Sequence, residues 1–380
     1  MPSSSRARQQ AIARLRQMAC LDFTGPQRIA PVLRELRHII AFDSGGYYYP
    51  GEGGALDAYL ESPALQAVMP DYFDPRVLRS EGQVLCRSLL SLPAMARHQR
   101  GPLALAQGQL LTVPRAVLQR SDYHEAIMRP AQISTWIALV LCTPQRRGLG
   151  VLSLYRHAGA PQFTQQELAT LAPLEACLAR ALQPGELDAD DSEVQASGLL
   201  IATPQGRLLW TSAEAERLMP LAFGWRWRGA GAQAGRTRQL PHALQLLLQR
   251  LQWAWQGQAD APLPQMEWRN AGGTFSLRAT RMTAAVADEG NAVALHITQR
   301  MARGTRLLAA LQGWGLPPRQ HALAYWMARG SPEPQIAARL GVSLPTVVHH
   351  RRALYERLGV QDRQGLLARA WASPHPLPAG

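Results

Sequence analysis

Ile336-Ala337-Ala338-Arg339-Leu340-Gly341-Val342-Ser343, followed by Thr346-Val347-Val348-His349-His350-Arg351-Arg352 and Leu358-Gly359-Val360, is the stretch on which the reading of this chain turns. Apolar side chains at Ile336, Ala337 and Leu340, then at Val342, Val347, Leu354 and Leu358, recur at helical intervals. That spacing predicts two short helices around a tight turn at Gly341, each burying one face. The second helix is strongly basic, and its opposite face carries Val348, His349, Arg352 and Tyr355, with Arg351 on the flank. Ser343 suits an N-cap, because its hydroxyl can accept from an orphan backbone N–H. Pro345 is tolerated in the first turn, where its missing N–H costs little. A basic helix face of this kind suits the major groove of double-stranded DNA, and the helix start can hold a phosphate.

The same residues resemble the LuxR/NarL-type helix-turn-helix. Leu316, Pro318 and Arg319 look like its opening turn, Gly330 sits between its first two helices, and Ile336-Ala337 belongs to its scaffold helix. Thr346-Val347, His350 and Leu358-Gly359-Val360 fall at its recognition helix and exit. The resemblance implies an all-α four-helix DNA-binding domain over residues 312–372 of a bacterial transcription regulator. In it Arg352 and His349 read base edges, while Ser343, Thr346, His350 and Arg351 hold the backbone and Val348 and Tyr355 complete the surface. Gln320 and Ala322 stand where glutamates are usual, Val348 where a lysine is, and Ala353 where an asparagine is. An apolar Val348 can meet a thymine methyl instead of donating to a base, so the family's known target sequences do not transfer.

All 40 basic residues are arginine, for the chain contains no lysine. That excludes a Walker lysine, a Schiff-base or pyridoxal phosphate anchor and a kinase ATP-binding lysine. It also argues against a phosphoacceptor receiver domain. The net charge is +13, of which residues 301–372 hold +7, ten arginines against Glu333, Glu356 and Asp362. Such asymmetry is the footprint of a nucleic-acid module on nearly neutral companions. A length of 380 residues with 47% hydrophobic content predicts two or three folded domains. No run of 18 apolar residues and no leader pattern occurs, so the expected location is the cytoplasm, away from membranes. Cys20, Cys86, Cys142 and Cys177 are far apart, lack metal-ligand spacing and are expected to be buried thiols.

Residues 183–192 read as an acidic, helix-breaking linker, and a second joint near residues 300–315 contains a helical stretch, Arg306 to Leu311. Residues 373–380 form a Pro-rich tail expected to be disordered. Within residues 1–185, a helix is expected from Ile29 to Ile40 and strands at Gly46–Tyr49, Ile133–Leu141 and Gly150–Tyr155. A long helix is expected from Phe163-Thr164 to about Leu182, opened by a Thr164/Glu167 capping box. The order resembles a GAF domain. Within residues 193–302, strand, Gly turn, strand and short helix resemble the start of a PAS domain, with Ser212 in place of the usual asparagine. A helix over 239–255 and strands at 274–282 and 292–297 would complete it. The expected fold is therefore multidomain, two α+β sensor domains, GAF-like then PAS-like, before the helix-turn-helix.

Trp225 and Trp227, taken as strand residues two apart, would point both rings to one face and could line a ligand pocket or serve as core. Tyr47, Tyr48, Tyr49, Trp136 and Cys142 lie on expected strands, where a second cavity could form. Leu366, Leu367, Ala370 and Trp371 are the expected dimer contact on the last helix. His349-His350 lacks a third ligand for a metal, and Gly229, Gly231 and Gly235 have the wrong spacing for a dinucleotide loop and read as a flexible turn. No Gly-x-Ser-x-Gly or His-Glu-x-x-His occurs, so neither enzyme activity nor a cofactor is expected. The expected function is a dimeric, signal-modulated regulator whose partners are DNA, a second copy, and a small-molecule signal or RNA polymerase. The alternative is a ligand-independent regulator whose front domains serve dimerisation or protein binding. A third reading is an enzyme with an appended DNA-binding domain.

Overall fold

The computed structural model describes residues 2–20, 25–51, 56–86, 88, 104–183, 192–229, 240–283 and 291–372. The body of the expected linker at 184–191, the tail at 373–380, and Gly231 and Gly235 lie outside the described residues. The chain divides into two units.

One unit, residues 43–164 with 192–301, holds two five-stranded sheets. The first contains β1 (Ser44–Pro50), β2 (Leu56–Leu60), β3 (Ala104–Ala106), β4 (Thr135–Cys142) and β5 (Gly148–Arg156), in the order β2-β1-β5-β4-β3 with antiparallel pairing throughout. The second contains β6 (Ser192–Ala202), β7 (Leu208–Thr211), β8 (Gln265–Asn270), β9 (Gly273–Met282) and β10 (Ala292–Ala302), in the order β7-β6-β10-β9-β8. Both sheets thus share one strand order, with the last strand laid beside the first, although in the first sheet further helices, Gln107–Leu110 and Arg115–Leu118 among them, stand between β3 and β4. β8 has no counterpart among the expected strands. Its residues Gln265-Met266-Glu267-Trp268-Arg269-Asn270 are mixed in polarity and alternate between exposed and half-buried.

Helices Pro63–Tyr72 and Pro75–Val84 follow β2. Each starts with Pro after a capping side chain: Ser62 accepts from the Ala64 N–H and Asp74 from the Arg76 N–H. In the second sheet domain, Ser212 caps helix Ala213–Phe223, accepting from the Ala215 N–H at 3.2 Å. Phe275, Leu277 and Ala279 of β9 and Val293, Leu295 and Ile297 of β10 alternate into its core, meeting Phe223, Leu244 and Leu247 from the helices.

Trp225 and Trp227 require a correction. They lie on a short helix, Trp225–Gly229, where residues two apart point to nearly opposite sides. Trp227 enters the core of the second sheet domain, while the Trp225 ring stacks on Phe73 of the first at a centroid distance of 4.9 Å. Arg226 between them pairs with Asp57 at 3.0 Å. The two tryptophans anchor one sheet domain to the other and share no pocket face.

The other unit gathers helices from three parts of the chain: 2–37, 165–182 and 303–372. The helix expected to run unbroken to Leu182 is interrupted: Gln165–Leu171 and Glu175–Leu182 flank a 3-10 turn at Ala172–Leu174. Pro173 explains the break, since it has no N–H for the helical ladder. The N-terminal helix Pro2–Met18 and helix Ile29–Arg37 are joined by Arg14 and Glu35 at 2.8 Å. Glu35 also accepts from Gln312 at 3.1 Å, and Gln17 donates to the Pro318 carbonyl at 2.8 Å.

Among the described residues no helix is long and apolar enough to cross a membrane, and no cluster of His, Cys, Asp or Glu could hold a metal. Cys142 is buried and Cys177 half-buried, but Cys20 and Cys86 are exposed, against the expectation of four buried thiols.

Candidate nucleic-acid interface and ligand cavity

Four helices make the C-terminal part: Pro318–Ala328, the scaffold helix Glu333–Leu340, the recognition helix Leu344–Leu358 and the last helix Arg363–Ala372. Gly341 ends the scaffold helix in the left-handed region, φ 62°, and the Val342 N–H reaches back to the Ala337 carbonyl. Gly359 ends the recognition helix in the same way, φ 64°, with the Val360 N–H on the Tyr355 carbonyl. Both stops use a conformation that costs glycine little. Ser343 is the N-cap of the recognition helix, its hydroxyl accepting from the Thr346 N–H and lying 2.7 Å from the Thr346 hydroxyl.

The inner row of the recognition helix is Val347, Leu354 and Leu358, all buried where this helix packs on the first helix and on the scaffold helix, whose Ile336 and Ala337 are buried too. His349 and Arg352 are exposed on the opposite side, and Val348 and Tyr355 are half-buried beside them. Burial raises the pKa of the Tyr355 phenol, which stays neutral and able to donate at ordinary pH. Arg351 forms an ion pair with Glu333 across to the scaffold helix. His350, three residues after Val347, lies toward the inner row: it lines a groove with Val347, and its Nε2 is buried without a hydrogen-bond partner. Its expected place among the backbone-holding residues therefore changes.

Leu366 and Ala370 also need correcting as dimer contacts. They are 0% and 1% exposed, buried within the chain's own helical unit against helix Arg303–Gly313 and the first helix. The ring of Trp371 is covered by the Arg306 guanidinium, 4.9 Å from its centroid. Of the expected contact, Leu367 and Trp371 remain half-buried.

The first sheet domain encloses a cavity of about 60 Å³. Its floor follows from strand register: Trp136, Ala138 and Val140 of β4 pair with Tyr155, Ser153 and Val151 of β5 and share one face, with Tyr48 of β1 next to Val151. Helix Pro63–Tyr72 supplies Leu65, Val68, Met69 and Tyr72, one face at helical spacing. The Tyr48 and Tyr155 hydroxyls are 2.8 Å apart, and Tyr72 donates to the Glu81 carboxylate at 2.8 Å. Burial pushes the Tyr48, Tyr123 and Tyr155 phenols up from their ordinary pKa, so these three hydroxyls are neutral, on a wall that also holds Glu81.

Of the expected ligand residues, Tyr48 and Trp136 line this cavity. Cys142 belongs to the same hydrophobic core, beyond the bulge at Leu141. Tyr47 and Tyr49 point to the other face of β1, stacked on each other at 5.1 Å, and do not reach it. Tyr47 donates to the Leu149 carbonyl, and Tyr49 accepts from the Ala271 N–H. Tyr48, between them, does line the cavity, whereas Tyr72, Glu81, Tyr123 and Tyr155 are not among the expected residues. The alternation of Tyr47-Tyr48-Tyr49 was the available signal, but it does not say which face is hollow.

Residues 315–370 match the family model described as bacterial regulatory proteins, luxR family. No curated protein matches the chain. Among solved structures, Escherichia coli SdiA is similar at 10% identity over 98% of this chain and 98% of that one, with a TM-score of 0.29. The Vibrio cholerae VqmA dimer follows at 14% identity over 46% and 81%, TM-score 0.17, and a phage VqmA–DPO complex at 14% over 48% and 88%, TM-score 0.16. The family match and the capped, glycine-stopped helices agree on one conclusion: residues 315–370 are a LuxR-type helix-turn-helix DNA-binding domain.

Proposed function

We propose that the chain is a sequence-specific transcription regulator of the cytoplasm, working as a homodimer whose hold on DNA is modulated by a signal sensed in the sheet domains. The observation that carries this reading is the outward row His349 and Arg352, flanked by Val348 and Tyr355, on a helix whose inner row is sealed against its own scaffold. A guanidinium forks onto guanine O6 and N7, which makes Arg352 the main base reader, with His349 beside it. Ser343 and Thr346 at the helix start, and the outer edge of Arg351, hold phosphates. One recognition helix reads few base pairs, so two copies on a two-fold site supply affinity. Leu367 and Trp371 are the remaining candidates for that contact. At a promoter such a dimer would meet RNA polymerase.

The strand order common to both sheets supports reading them as GAF-like and PAS-like sensors. The tyrosine-walled cavity is the proposed place of the signal, and at about 60 Å³ it takes a molecule larger than a few heavy atoms only if its walls move apart. The signal can act only by binding one state of the protein better than another. Selection of binding sites from random duplexes with the full chain tests the reading. A two-fold-symmetric motif is expected, and a pool that enriches no sequence even in dilute buffer contradicts it.

A further inference from the structure

We propose that the groove between the N-terminal helix Pro2–Met18 and the helix-turn-helix binds an amphiphilic carboxylate, one carboxylate on an aliphatic chain. The groove has a volume of about 650 Å³, within the range that takes a drug-sized molecule. Its floor is apolar and buried: Leu323 and Val347 are each 1% exposed, and the Trp326 ring closes one side. Its rim is cationic, with exposed Arg16 from the N-terminal helix, Arg319 from the first helix of the helix-turn-helix and Arg339 from the scaffold helix. The Arg339 guanidinium lies 3.8 Å over the Trp326 ring, which holds that wall in place.

No aspartate or glutamate is among the described residues lining the groove. Three guanidiniums around one opening favour an anion, and a carboxylate matches their fork. A bare phosphate would leave the half-buried Leu340 and Val342 side chains of the groove wet. A neutral lipid would leave the arginines without a counter-charge. Two buried atoms in the wall, Nε2 of His350 and Oε1 of Gln17, have no hydrogen-bond partner. In its Nε2–H tautomer His350 can donate to the carboxylate, and Gln17 can accept from water carried in with it. Val347 and His350 belong to the recognition helix, so an occupied groove touches the element that faces DNA. This is a different site from the tyrosine-walled cavity, and its occupancy is read without DNA, so it stands or fails apart from the function proposed above.

Calorimetric titration of the full chain with decanoate, decan-1-ol and decyltrimethylammonium, all kept below micelle formation, tests it. Decanoate should bind one-to-one, with the alcohol about tenfold weaker or worse and the cation weaker still. Arg16→Glu and Arg319→Glu change exposed side chains and should each weaken decanoate binding about tenfold or more while leaving the circular dichroism unchanged. Absence of decanoate binding up to about 1 mM overturns the proposal. So does equal binding of the alcohol, equal binding by variants that retain the native spectrum, or saturation by inorganic phosphate in place of decanoate.

Discussion

Arg351 on the recognition helix is ion-paired with Glu333 in the first turn of the scaffold helix, whereas its neighbour Arg352 is exposed on the outer face. The pair pins the recognition helix to its scaffold, and the Glu333 carboxylate also suits the positive end of its own helix. Adjacent residues on a helix point about 100° apart, so the two consecutive arginines meet different surroundings.

That separation is measurable by substitution. Arg351→Ala should lower stability by about 0.5–1 kcal/mol, the range of a partly exposed ion pair, and weaken binding to all duplexes alike. Arg352→Ala should leave the unfolding midpoint unchanged. Denaturant unfolding and duplex titration on the same preparations check both, and a larger stability loss at Arg352 than at Arg351 would reverse the assignment.

Gly341 ends the scaffold helix at φ 62°, and nothing lies within 4 Å of where a Cβ would sit. The cost of Gly341→Ala is therefore in the backbone alone, about 1 kcal/mol. Gly341→Asn should cost less, because asparagine visits the left-handed region more readily. Equal unfolding midpoints for the wild type and the alanine variant would show that the turn relaxes.

Leu366 is fully buried, so Leu366→Ala should destabilise by about 2–5 kcal/mol whatever the protein concentration. A residue at a dimer contact would instead show its effect as a concentration-dependent loss. Unfolding at two concentrations well apart distinguishes the cases.

His321 is buried in the first helix of the helix-turn-helix, and burial, with Arg14 nearby, lowers its pKa to about 4. The folded pKa lies below the unfolded value, so the unfolded chain binds more protons between about pH 6.5 and about pH 4. Stability from this group is complete above about pH 6.5 and is lost as pH falls through about 4, a total of about 3 kcal/mol. His321→Gln should flatten that part of the stability profile. An unchanged slope in the variant would assign the acid sensitivity elsewhere.

The helix-turn-helix was legible because its determinants are local. Ser343 as cap, the stops at Gly341 and Gly359, and the row Ile336, Val347, Leu354, Leu358 are each set within a few residues of one another. The burial of Leu366 and Ala370 was not legible, since it depends on helix Arg303–Gly313, distant in sequence. The tyrosines of β1 show the same limit: alternation separates Tyr48 from Tyr47 and Tyr49, but only pairing with β5 and the cover from helix Pro63–Tyr72 decide which face holds the cavity. Trp225 and Trp227 misled because a spacing of two has meaning only once strand or helix is known. Pro173 could have been read as a helix break from the sequence itself.

The central claim is that the outer face of the recognition helix reads base pairs, with Arg352 as its main reader. The most direct test titrates wild type and Arg352→Ala against a selected duplex and each of its single-base variants at fixed salt. The account predicts that Arg352→Ala loses about 1–3 kcal/mol on the selected site and becomes indifferent to the base at one position. An equal loss on every duplex, with all base preferences intact, would contradict it.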